Sequence, residues 1–141
     1  MVNSAAAHDA AAPPARRLVL LGASNLARGV VSAVDAARAV WGEPLDVMAA
    51  LGHGRSYGRK SCVLGRSLTG VAQCALWDEL AARPRLPTAA VVTDVGNDIL
   101  YGVSNKKILD WVARCLSRLA SADARVVLTG LPIASLAALQ R

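Results

Sequence analysis

Three short stretches of the chain join small residues to groups that can do chemistry: Gly22-Ala23-Ser24-Asn25, Gly52-His53-Gly54-Arg55 and Gly96-Asn97-Asp98. Ser24 offers a hydroxyl nucleophile, and the small residues around it leave room for an acyl carbon. A serine at a helix start supplies its oxygen and also its own backbone N–H. A glycine N–H and an asparagine side-chain amide are neutral donors suited to a developing oxyanion. A serine between a strand and a helix can equally be a plain N-cap, a role open to Ser24 or Asn25.

The surrounding pattern places these stretches. Residues 18–21 are a short apolar run ending in Gly22, which reads as a buried strand and a tight turn. The first helix is expected over 25–40, where Leu26, Val30, Val34 and Ala37 form one stripe before Gly42, Glu43 and Pro44 break it. Strand two is expected over 45–51. Residues 52–70 then read as a long loop with five glycines, a length at which loops are usually functional or disordered. A helix over 71–82 follows, with Trp77 as a core anchor, then strand three over 89–95 and a loop over 96–102. The third helix is expected over 104–120, with Ile108, Val112, Cys115 and Leu119 on its apolar face and Ser104 as its cap. Strand four is expected over 125–131, and residues 133–141 read as a loop or the start of a fourth helix.

The order β-α-β-α-β-α-β implies a parallel sheet covered by helices on both faces. Right-handed crossovers put the loops after strands one, two and three on one rim, which is where parallel sheets bind ligands. Asp94, at the end of strand three, points to the same rim, where it is placed to orient a neighbour but has no role assigned, and Asp98 is expected to cap or orient its loop.

Composition narrows the classes. The 141 residues suffice for one domain, with residues 1–15 expected to be a disordered tail that includes His8. The formal charge is +6, but the basic residues are scattered and no nucleic-acid motif accompanies them. Arg55, Arg59, Lys60 and Arg66 read as solvated loop charges, with recognition of an anionic substrate as the other reading. The three cysteines, Cys62, Cys74 and Cys115, form no C-x-x-C pair, which argues against a disulfide framework and a zinc site; Cys74 and Cys115 are expected in or near the core. No signal peptide and no run of transmembrane length is visible, so a cytoplasmic protein without a membrane partner is expected.

On the residues quoted, the chain resembles the SGNH hydrolases, the GDSL-like lipases and esterases. Gly22-Ala23-Ser24 corresponds to the Gly-Asp-Ser of the family, with Ala23 in place of the aspartate. Gly52 and Gly54 both correspond to the glycine after strand two, and Gly54 is preferred. Asn97-Asp98 matches the Asn-Asp pair after strand three, with Val95 in place of the usual glycine. The resemblance covers residues 18–131. It implies a flavodoxin-like three-layer α/β/α sandwich. It also implies a serine esterase in which Ser24 is nucleophile and oxyanion donor, assisted by the Gly54 N–H and the Asn97 side chain, on a small ester substrate and without metal or organic cofactor. The Asp-x-x-His block of the family has no counterpart, and His53 is not in that motif. The reading is therefore a domain, residues 16–141, with four strands and no fifth, inactive alone, and able to self-associate through the edge of strand four. Two alternatives stay open: a non-catalytic binding module on a degenerate hydrolase fold, and a nucleotide-binding Rossmann-like domain, for which GASNLARG lacks the later glycines.

Overall fold

The computed structural model describes residues 12–130. Four strands, β1 (Arg16–Leu21), β2 (Leu45–Ala50), β5 (Thr88–Val92) and β6 (Arg125–Leu128), make one parallel sheet in the order β2-β1-β5-β6. Counting these strands alone, this is the order of the first four strands of a flavodoxin-like sheet. The fold is α/β with three layers.

Alternation along β1 explains the layers. Leu18 and Leu20 point to one face and join Leu26, Val30, Val34 and Ala37 of α1 (Ser24–Trp41). Val19 and Leu21 point to the other and join Trp77 and Leu80 of α2 (Leu76–Ala82) and Ile108, Trp111, Val112, Cys115 and Leu119 of α4 (Asn105–Ser121). Side chains on a strand alternate faces, so one strand feeds two cores. The expected stripes of the first and third helices are the stripes that pack. Trp77 is buried as expected, its indole N–H donating to the Val71 carbonyl at 2.7 Å. Cys115 is buried and Cys74 half-buried.

Three elements differ from the expectation. Residues 52–70 are not all loop: β3 (Ser61–Val63) and β4 (Arg66–Leu68) form a two-stranded antiparallel hairpin. The helix expected over 71–82 is split into a 3₁₀ turn at Val71–Gln73 and α2, because Cys74 between them is extended. The loop after β5 contains a one-turn helix, α3 (Asn97–Leu100). Strand three ends at Val92 and strand four at Leu128; the expected Leu131, the reading of 133–141 and the tail over 1–11 lie outside the described residues.

Gly58 fixes the long second loop to the helical layer. A Cβ there would fall 1.8 Å from Cδ2 of Trp111, so only a glycine lets the indole of α4 lie against this backbone.

Candidate active site

Ser24 opens α1, and its helix start is not capped from within. The N-cap residue is Ala23, which has no side-chain acceptor, and neither Ser24 nor Asn25 caps the helix. The acceptor comes from Asp94, in the loop after β5. Its Oδ2 accepts the N–H of Ala23 at 2.8 Å and of Leu26 at 3.2 Å, and its Oδ1 accepts the side-chain amide of Asn25 at 2.7 Å. A carboxylate at the positive end of a helix is well placed electrostatically. Among the described residues the half-buried Ser24 hydroxyl has no hydrogen-bond partner and is left uncommitted.

Asp94 also reaches the third stretch. Its carbonyl accepts the N–H of Asn97 at 3.3 Å, so one residue holds the helix start that carries Ser24 and the first residue of α3. Asp94 does this with φ at +60°, a left-handed conformation that Asp tolerates better than most residues.

The second stretch is wound around Asp98. This carboxylate is fully buried; one oxygen accepts the Ser56 hydroxyl and the other the N–H of Tyr57 at 2.8 Å. Ser56 Oγ in turn accepts the N–H groups of Gly58, at 3.2 Å, and Arg59, at 3.0 Å. The Asp98 carboxylate thus holds the neighbouring second loop; it does not cap α3. The Tyr101 hydroxyl donates to the Gly54 carbonyl at 2.6 Å. Gly54 has φ at +65°, and a Cβ there would fall 2.5 Å from Cγ2 of Val63, so the turn is closed to any side chain. Gly52 accepts the Arg55 N–H through its carbonyl at 3.2 Å.

Tyr57 ties the rim to the sheet. Its hydroxyl lies 2.6 Å from the Thr93 carbonyl and 3.3 Å from the Leu21 carbonyl, at the ends of β5 and β1. Burial pushes its phenol well above the usual tyrosine range, so the group stays a donor.

The loops that carry Ser24, Gly54 and Asn97 are therefore joined by hydrogen bonds at the carboxyl ends of β1, β2 and β5, where chain order reverses across the sheet. His53 is exposed beside Gly54 and has no hydrogen-bond partner among the described residues. Arg55 is structural: Nε donates to the Thr69 carbonyl and Nη1 to that of Leu51, both at 3.0 Å. The parts that sequence reasoning missed are Ser56, Tyr57, Tyr101 and the capping role of Asp94. The signal for the last was an aspartate at a strand end on the rim, facing a helix start whose own N-cap residue is an alanine.

No family model matches the chain, and no curated protein matches it. A solved crystal structure is similar to it, at 19% sequence identity and a TM-score of 0.52, over 80% of this chain and 61% of that one. At that identity the likeness carries the fold alone. The chain spans about three-fifths of the length of that neighbour.

Proposed function

We propose that this chain carries the chemistry of a serine ester hydrolase of the SGNH type. Ser24 Oγ attacks an ester carbonyl carbon, the alcohol leaves, and an acyl-Ser24 intermediate forms. The N–H groups of Ser24 and Gly54 and the Asn97 side chain hold the oxyanion; the loss of one such donor typically costs on the order of 10²–10³ in rate. The observation that supports this reading best is the Asp94 frame: one residue holds the turns of Ser24 and Asn97 while the Ser24 hydroxyl is left free of described partners.

Serine attack needs a base. His53 is the one histidine among the described residues, and it points to solvent. These residues alone are therefore expected to acylate slowly and turn over little. That same feature favours the second reading, a binding module that uses the fold without catalysis. The nucleotide-binding reading is opposed by Asp94, whose carboxylate already takes the N–H groups of Ala23 and Leu26 that a phosphate at the α1 start would use.

Incubation with p-nitrophenyl acetate, followed by peptide mass mapping, tests the proposal. The expected outcome is one acetyl group on Ser24, none in Ser24→Ala, and slower labelling in Asp94→Ala, which loses the frame. Acetylation scattered over lysines, with Ser24 unmodified, would overturn it.

A further inference from the structure

The tip of the β3–β4 hairpin is built against two preferences at once. Leu64 and Gly65 both have positive φ, +51° and +75°, in the two-residue turn between the strands. Such turns favour Asn, Asp and Gly, and a leucine in that conformation is strained. Leu64 is also 96% exposed, so its side chain gains nothing from the fold.

A second exposed apolar group lies on α3. α3 leaves Ile99 and Leu100 exposed, Leu100 at 86%. Both patches adjoin residues that pack on Gly54: Val63, next to Leu64, and the Tyr101 hydroxyl, next to Leu100, are the groups that a Cβ on Gly54 would strike.

The second loop and its hairpin carry charge of one sign. Between Asp46 and Asp78 the chain carries Arg55, Arg59, Lys60 and Arg66 and no acidic residue. Arg59 lies over the Tyr101 ring, its guanidinium 5.7 Å from the centroid. Lys60 and Arg66 are exposed and form no ion pair with a described residue.

We propose that this rim, with Leu64 and Leu100 as its projecting apolar groups, docks on an anionic lipid surface. A fluid interface accepts single projecting side chains without a matching pocket and keeps lysine and arginine heads at headgroup level. A protein partner would need a packed patch of about 800 Å² per side, which two isolated leucines do not offer. Among the described residues no helix is long and apolar enough to cross a membrane. Such docking departs from the expectation of no membrane partner and from the reading of Arg59, Lys60 and Arg66 as solvated loop charges. The inference is independent of the hydrolase reading, and Ser24→Ala is expected to bind as the parent does.

Co-sedimentation of the full chain with phosphatidylcholine vesicles, with and without phosphatidylserine, tests it. Binding is expected only with phosphatidylserine, and is expected to fall as salt screens the cations. Leu64→Asn suits the turn and is expected to melt no lower than the parent, yet to bind about tenfold more weakly or worse. Each cation near the surface is worth about fivefold in partitioning, so Lys60→Gln with Arg66→Gln is expected to lower binding roughly 25-fold. The proposal is overturned if the parent stays in the supernatant, if it binds neutral vesicles equally, or if a folded Leu64→Asn variant binds as tightly as the parent.

Discussion

Arg17 and Asp98 are buried charged side chains near opposite ends of one sheet, and they are held in opposite ways. At the amino-terminal end, charge answers charge. Arg17, 3% exposed, bonds Asp46 at 2.7 Å and the Pro84 carbonyl at 2.9 Å, and Arg83 bonds the second oxygen of Asp46. At the carboxyl rim, carboxylates answer the backbone: Asp98 and Asp94 take N–H groups of neighbouring loops. A cavity of about 410 Å³ lies at the amino-terminal end, lined by Arg17, Arg83, Arg85, Arg118 and Trp77. A second, of about 390 Å³, lies along β2; Ser24, Gly54 and Asn97 line neither. The two are close in volume, and the first is the one rich in arginine. Its arginines are already matched, Arg85 by Asp123 at 3.1 Å and Arg118 by the Ala72 carbonyl at 2.7 Å. Volume therefore marks a place where the protein satisfies itself, and the rim is where the Ser24 hydroxyl is left without a described partner.

The comparison can be broken at either end. Arg17→Ala leaves Asp46 with only the half-exposed Arg83 and is expected to cost about 3–5 kcal/mol in denaturant unfolding. Asp98→Ala strands the Ser56 hydroxyl and the Tyr57 N–H at about 1–3 kcal/mol each, with Asp98→Asn milder because one acceptor remains. A cost below 1 kcal/mol for Arg17→Ala would show that the amino-terminal charges are not a matched network.

Raising pH sharpens the comparison more gently. Burial pushes the Cys115 thiol up to about 12 and the Tyr57 phenol higher still, against ordinary values of 9.0 and 10.0. The unfolded chain then releases these protons first, so the stability they hold is complete below pH 9 and declines as pH rises beyond it. The slope is at most about 1.4 kcal/mol per pH unit for each group. Cys115→Ala is expected to delay the onset of that decline toward pH 10 in melts run across the alkaline range. The smallest effect is expected at Ser61, whose buried Oγ has no hydrogen-bond partner among the described residues. Ser61→Ala removes that unpaired group and is expected to match or exceed the parent in stability, by up to about 1 kcal/mol.

The sheet and its helices were legible because apolar runs and stripes report burial directly: residues 18–21 and the faces of α1 and α4 needed only local pattern. The hairpin was not legible. Its strands are three residues long, and its turn is Leu-Gly where Asn-Gly would have announced it. At the site, Ser24 and Asn97 stood out through their small neighbours and their place after strands. The cap could not be found locally, because the acceptor for Ala23 lies 71 residues further along the chain. Asp98 was legible only as a cap or guide for its own loop, because its partners Ser56 and Tyr57 meet it only once the second loop has folded back.

The contact between Gly58 and Trp111 sets a rule for divergence. The indole occupies the volume that any side chain at position 58 would need. A relative of this fold that gains even a methyl group there must carry something much smaller at position 111. The two positions are then bound to change as a pair, and an alanine at 58 beside an intact tryptophan marks a chain whose second loop has moved.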